Sequence, residues 1–179
     1  MQNPINILIE EHKLITRFLS ALEVKVKEME TENRLDEQFI DIITDFFGSF
    51  IDRSHHGKEE DIFFKILAQK ELDAEMKEII IKLENEHEMV RKYISQIIKS
   101  KSAYLNGDLN ALKTIILDLN AFLKLYPQHI KIENDYFFEN GIKYLSVAEQ
   151  EEMQNKFNTL HPPAILQKYI ALVDNLEAK

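Results

Sequence analysis

The chain contains one stretch twice, HHGKEEDIFF at residues 55–64 and HIKIENDYFF at residues 129–138. The two copies share the first His, the Glu four residues later, an Asp and both Phe residues, at a constant offset of 74 residues. A shorter match precedes each copy, LIEEH at residues 8–12 and LENEH at residues 83–87. The chain therefore consists of two related halves, each with a lone His followed by a His-x-x-x-Glu motif.

Composition and hydrophobic period predict a helical protein. Only 4 Gly and 4 Pro occur among 179 residues, whereas a sheet protein needs many more turn residues. Apolar residues recur near the 3.6-residue period of a helix in four long segments, from Pro4 to the polar run 28–33, then 36–68, 73–104 and 108–140. We predict an all-α fold, an up-down-up-down four-helix bundle with two short extra C-terminal helices.

The predicted domain is single and spans residues 1–179, with the bundle at about 5–140 and a C-terminal helical extension at about 146–177. Ser146 and Glu149 form a capping box that opens the first short helix, and His161-Pro162-Pro163 opens the second. In the fourth long helix we expect Pro127 to produce a kink and Gly141 to end the helix.

Charge and residue usage exclude several classes of protein. Lys and Arg number 22 against 31 Asp and Glu, and the formal charge of −9 disfavours nucleic-acid or anionic-membrane partners. The chain has no Cys, which excludes disulfides, thiolate nucleophiles and zinc fingers. No signal peptide and no uncharged apolar run of membrane-spanning length occurs, so we expect a cytoplasmic protein.

The duplicated motif predicts a pair of metal ions. A His and a Glu at i and i+4 share one helix face and can reach one ion. Two buried carboxylates facing each other are costly without cations, so metal binding explains why both copies keep their Glu. Imidazole and carboxylate ligands without thiolate suit iron, manganese or zinc. The candidate ligands are His12, His55, Glu59, His87, His129 and Glu133.

His56 is a seventh candidate ligand. With 100° per residue, Glu59 lies between His55 and His56 on the helix wheel, so it could bridge two ions with one His on each. Glu60 points away and is interpreted as a carboxylate behind the ligands or in solvent. We assign no catalytic residue and no organic cofactor.

The remaining aromatic and His residues near the motifs are interpreted as structural. Four Phe residues are assigned mainly to the core, and three Tyr residues are expected mainly to pack, with a hydrogen bond from one of them to the site as the alternative: Phe63, Phe64, Phe137, Phe138, Tyr93, Tyr126 and Tyr136. His161 is expected to be a cap or a surface residue.

At these motifs the sequence resembles the hemerythrin family, and more closely its HHE cation-binding branch, over about residues 5–140. The resemblance implies a four-helix bundle that holds an oxo- or hydroxo-bridged non-haem di-iron centre. Its ligand positions match His12 on the first helix, His55 with Glu59 on the second, His87 on the third, and His129 with Glu133 on the fourth.

Two departures from the oxygen-carrying hemerythrins bear on function. Those proteins have a second His four residues after the third-helix His, where this chain has Arg91, and an Asp five residues after the fourth-helix His, where this chain has Glu133 at four. His56 could restore the count of five His ligands. The departures disfavour simple oxygen storage of that type and favour the mixed HHE branch.

The main functional hypothesis is a di-iron protein that binds or reacts with O₂, NO or peroxide in sensing, scavenging or storage. One alternative is an iron donor for the repair of iron–sulfur centres. Another, of a different class, is a helical interaction module with a structural metal site. The sequence leaves open whether the protein is an enzyme, which of iron, manganese and zinc it holds, and which protein partner it has.

Overall fold

The computed structural model describes residues 3–160 and 163–178. Within these ranges the chain forms four long and two shorter helices, so the all-α prediction is confirmed. They are α1 (Ile5–Glu32), α2 (37–67), α3 (Ala74–Leu105), α4 (111–141), α5 (Val147–Leu160) and α6 (Pro163–Glu177). A short 3₁₀ turn, Ile142–Tyr144, links α4 to α5. His161, expected to be a cap or a surface residue, lies outside the described residues.

Side-chain caps fix where the helices begin. The Asp36 carboxylate accepts a hydrogen bond from the Phe39 amide at 2.9 Å, and Asp73 caps α3 in the same way. Ser146 and Glu149 form the predicted reciprocal capping box before α5. Each cap satisfies amide groups that the first helical turn leaves without intrahelical partners.

The four long helices are α1 to α4. Each contacts the next one along the chain, and α4 also contacts α1. The two C-terminal helices pack onto their outside, α5 against the second half of α2 and α6 against α1 and α2. Tyr169 anchors α6, since its ring lies 5.4 Å from that of Phe46 and 5.2 Å from that of Phe50. The extension is therefore attached to the long helices through an aromatic contact.

The apolar core is divided into two clusters. The larger one contains the ring stack of Phe18 on Phe46, with centroids 3.9 Å apart. The smaller one contains Phe63, Phe137 and Phe138. Along every long helix a buried His lies between a residue of one cluster and a residue of the other. The two clusters thus enclose a polar layer between them.

Two local details differ from the sequence predictions. The fourth helix begins at Ala111, because Asn106 and Gly107 (φ +100°) end α3 and a further turn precedes α4. Gly141 does not end its helix by a left-handed turn, since its φ is −59°. A Cβ atom there would lie 2.8 Å from Cζ of Phe63, so this glycine permits close packing of α4 on α2.

We predict that Gly141→Ala lowers the free energy of unfolding by about 1–3 kcal/mol, because the added methyl displaces a buried ring. Gly48→Ala is the matched control, since a Cβ at that helical position meets nothing within 4 Å. It should raise the free energy of unfolding by up to about 1 kcal/mol through helix propensity. Urea denaturation followed by circular dichroism measures both, and equal effects would contradict the packing role.

Candidate metal centre

The polar layer contains all seven ligand candidates identified from the sequence. They form two adjacent groups, His12, His55, Glu59 and Glu133 in one, and His56, His87 and His129 in the other. Within each group, one donor atom from each residue lies within 4.8 Å of the others. Every one of these side chains is at most 1% exposed. Residues up to 121 positions apart in the chain thus meet in one enclosed space.

Wide helical turns carry much of the site. The π-helical segments Phe46–His56 and Glu59–Phe64 lie in α2, and Glu133–Phe137 lies in α4. Such turns are rare and occur often at functional sites. The i, i+4 contacts expected from an α-helix persist across them, with 3.4 Å from Nε2 of His55 to Oε1 of Glu59.

The two lone histidines and the two motif histidines form two facing pairs. Nε2 of His12 lies 2.9 Å from Nε2 of His55, and Nε2 of His87 lies 3.1 Å from Nε2 of His129. In each pair, one histidine lies on the first long helix of a sequence half and the other lies on the second long helix of the same half. The pairs therefore follow the duplication of the sequence.

The opposite nitrogen of each ring, Nδ1, contacts a side-chain oxygen. The four contacts are His12 to Asn134 at 2.8 Å, His55 to Glu11 at 3.0 Å, His87 to Glu60 at 2.6 Å and His129 to Glu86 at 2.9 Å. These oxygens accept hydrogen bonds, so Nδ1 is the donor in each contact. We call the four oxygen-bearing residues the outer partners.

This pattern of donors fixes the tautomer of the neutral rings. A neutral imidazole has one N–H, and with the hydrogen on Nδ1 the lone pair is on Nε2. In both facing pairs, two lone pairs then point at each other at hydrogen-bond distance. Repulsion between them is relieved by a proton or a cation placed between the rings. A histidine that ligates a metal characteristically has this arrangement of its second nitrogen.

The two buried glutamates connect the histidine pairs. Oε1 and Oε2 of Glu59 lie 3.4 Å and 3.6 Å from Nε2 of His55 and His87. Oε2 of Glu133 lies 3.2 Å from Nε2 of both His12 and His129. None of the four glutamate oxygens has a hydrogen-bond donor among the described residues. Buried carboxylate oxygens without donors fit a cation, and their position between the pairs fits a bridging role.

The electrostatics of the two carboxylates reflect this crowding. Burial, together with the charge of Glu133, raises the pKa of Glu59 well above its usual range. Burial also opposes the ionisation of Glu133, but His129 and His12 outweigh it and lower the pKa of Glu133 to about 2. Without added positive charge, the two acids cannot both ionise at low cost.

Burial favours the neutral form that binds metals in three of the imidazoles. Burial lowers the pKa of three rings, those of His55, His56 and His87. Burial acts in the same direction on His129, but Glu133 and Glu86 outweigh it and raise the pKa of that ring. The His and Glu side chains offer nitrogen and oxygen donors without sulfur, and this set of donors fits iron, manganese or zinc.

His56 differs from the other candidates. Its ring stacks on that of His87, with centroids 3.7 Å apart and planes 13° apart. Its Nε2 lies 3.1 Å from the hydroxyl of Tyr126, so for this tyrosine the alternative of a hydrogen bond to the site holds rather than packing alone. Its Nδ1 lies 3.5 Å from the Asp52 carboxylate and makes no hydrogen bond to a described residue. Its role as a ligand stays a prediction.

Three of the outer partners were not predicted from the sequence, namely Glu11, Glu86 and Asn134. The repeat could have indicated them, because each of the three residues is the sequence neighbour of a ligand candidate within a repeated segment. Glu60, interpreted as a carboxylate behind the ligands or in solvent, contacts both Nδ1 of His87 and the guanidinium of Arg91. Adjacent residues on a helix point in different directions, so one faces the centre while its neighbour accepts a hydrogen bond from a histidine of another helix.

Two basic residues complete the surroundings of the site. Lys58 is only 2% exposed, and its Nζ lies 2.6 Å from Oε1 of Glu11. Arg91 is partly exposed and pairs with Asp52 at 2.6 Å and with Glu60 at 2.9 Å. Arg91 thus contacts the outer side of the site, consistent with its inability to replace an imidazole ligand.

Fold and site together define a helical protein with a buried donor set for cations. The family model described as the hemerythrin HHE cation binding domain matches residues 3–140. The chain belongs to this family. No curated protein and no solved structure gives a significant match to the chain. Among the described residues, no helix combines the length and the apolar character needed to cross a membrane.

We predict that Glu59→Gln stabilises the metal-free protein while reducing the metal that it binds. The amide keeps the shape of the side chain and removes the cost of either burying a charge beside Glu133 or protonating the carboxyl on folding, so the free energy of unfolding should rise by about 1–3 kcal/mol. Urea denaturation with a chelator present, and elemental analysis of protein loaded with metal, measure the two effects.

Glu139→Gln, at an exposed position of α4, is the control for the change in net charge. It should leave both quantities unchanged. A metal-free Glu59→Gln variant that is less stable than the unsubstituted protein would contradict the repulsion inferred from the geometry.

Proposed function

We propose that this protein is a non-haem di-iron protein whose centre binds or reacts with O₂, NO or peroxide in sensing, scavenging or storage. One observation carries the proposal, the two facing histidine pairs that are spanned by buried carboxylates. In that arrangement every Nε2 lone pair and every glutamate oxygen is directed into one enclosed space.

The proposed ligand assignment follows the two groups of donor atoms. His12 and His55 hold one ion, His87 and His129 hold the other with His56 as an additional ligand, and both glutamates bridge. The contacts of Glu59 with His55 and His87 support the bridge. Two ferrous ions bound in this way would supply an open coordination position for a diatomic ligand and two electrons for its reduction.

The chain's own residues shape the space around that position. The ring of Phe138 stacks on His12 at 5.6 Å, and the ring of Phe64 stacks on His87 at 6.2 Å. These buried rings exclude water from one side of the histidines. Tyr126 lies on the other side of the histidines. Burial raises the pKa of its hydroxyl well above the usual range, so the hydroxyl stays protonated and can donate a hydrogen bond.

We further propose that the four long helices run alternately up and down around the centre. Going along α1 and α3, a residue of the smaller core cluster precedes the His and a residue of the larger cluster follows it. Along α2 and α4 the order is reversed. Contacts of α6 with α1 and α2 support the proposal that residues 1–179 form one domain.

The test is metal analysis followed by an anaerobic titration. Protein purified from iron-supplied cells should contain about two iron ions per chain and show oxo-bridge absorption after oxidation in air. The reduced protein is then titrated with O₂, NO and peroxide while its visible spectrum is recorded. His129→Ala should lose iron and the spectral response, whereas Glu139→Gln should keep both.

Less than one iron per chain, or a loaded protein inert to all three reagents, would contradict the proposal. The same measurements separate the two alternatives. Transfer of both irons to an apo iron–sulfur acceptor would favour an iron donor, and a zinc-filled, redox-silent protein that unfolds on chelation would favour a structural site.

A further inference from the structure

The sequence duplication extends to the outer partners. Glu11 and Glu86 are 75 residues apart and accept hydrogen bonds from the second His of each half, while Glu60 and Asn134 are 74 apart and accept from the first. Each facing pair of histidines therefore has two oxygen acceptors behind it, in equivalent places. The two halves match in geometry, which makes their differences in charge directly comparable.

The charges behind the two pairs are unequal. Both acceptors behind His87 and His129 are carboxylates, Glu60 and Glu86. Behind His12, the acceptor is the neutral amide of Asn134. A histidine that donates its second N–H to an anion is a more basic metal ligand than one that donates to a neutral group. The pair His87–His129 therefore has the stronger donors.

Buried positive charge increases the difference. Behind His55, Glu11 is paired at 2.6 Å with the ammonium of Lys58, which is almost fully buried and poorly screened by solvent. In the other half, Ile132 occupies the position equivalent to Lys58. The nearest ammonium to Glu86 is that of Lys82, at 3.8 Å and 52% exposed.

Arg91 does not cancel the anionic charge behind His87. Its guanidinium is shared between Glu60 and a second carboxylate, Asp52, so that the cluster keeps a net negative charge. The shared glutamates Glu59 and Glu133 lie between both histidine pairs and contribute to both. The outer partners and Lys58 thus distinguish the two cation positions in addition to His56, the additional ligand proposed for the position between His87 and His129.

We infer that the two cation positions have unequal affinity. The position between His87 and His129 binds the first cation, and the position between His12 and His55 binds the second and releases it first. This inference rests on the metal centre of the proposed function and requires no particular reaction of that centre. It assigns to the protein a stable state with one cation, and to Lys58 and Asn134 the role of weakening the second position.

The experiment is an equilibrium titration of the full chain with Co²⁺ alone, after removal of metal by a chelator. Calorimetry and visible absorption, with a competing chelator of known affinity, report each binding step. We expect two steps whose affinities differ by about tenfold or more, the size of effect that partners behind metal ligands produce.

Two matched substitutions at equivalent positions test the cause. Asn134→Asp places a carboxylate behind His12 and should tighten the second step, whereas Glu60→Gln removes one behind His87 and should weaken the first, each by about 10–100-fold. Lys58→Met should also tighten the second step, with the exposed Lys65→Met as its control. Circular dichroism verifies folding, and the first two variants preserve side-chain shape.

Ligand substitutions identify which position fills first. His12→Ala should keep the tight step and lose the weak one, and His129→Ala should lose the tight step. Equal affinities, or the reverse pattern in these two variants, would overturn the inference while leaving the proposed function intact. Unequal Co²⁺ binding by a protein whose iron form is inert to O₂, NO and peroxide supports the inference and contradicts the proposed function. Failure to bind Co²⁺ overturns both.

Discussion

Two pairs of imidazole nitrogens point at each other across the interior with their hydrogens on the far side. This arrangement depends on the oxygen acceptors behind the rings, because the hydrogen bond from Nδ1 determines where the lone pair lies. It is unfavourable in the absence of positive charge, and so are the buried carboxylates between the pairs. The two aromatic core clusters supply the packing energy that holds these groups together. Cation binding converts the repulsion into coordination, so metal affinity and fold stability are coupled.

Much of the arrangement could be predicted from the sequence because the chain repeats itself. The offset of 74 residues identifies His55 with His129 and Glu59 with Glu133, and residues that recur in register on an apolar face belong to the interior. The helix starts were also predictable, since Asp36 and Asp73 cap through local contacts that the sequence alone specifies. The family follows from the same motifs, and the match over residues 3–140 shows it.

Features that depend on contacts between helices were not predictable in this way. Lys58 has the sequence context of a surface lysine, and only the approach of α1 to α2 places its ammonium against Glu11. Tyr126 contacts His56 for the same reason, because the distance between α4 and α2 is set by packing rather than by period. The π-helical turns occur in α2 and α4 and not in α1 or α3, and hydrophobic periodicity at 100° per residue does not reveal them.

The donor atoms of the centre come from all four long helices, with His12 near one end of the sequence and Glu133 far along it. All seven candidate ligands therefore exist together only after Glu133 has been synthesised, 121 residues later than His12. The early helices emerge without their partners, and any ion that they meet then finds an incomplete set of donors. An ion can therefore meet the whole candidate set only after α1, α2, α3 and most of α4 have been made, so the order of synthesis delays complete coordination.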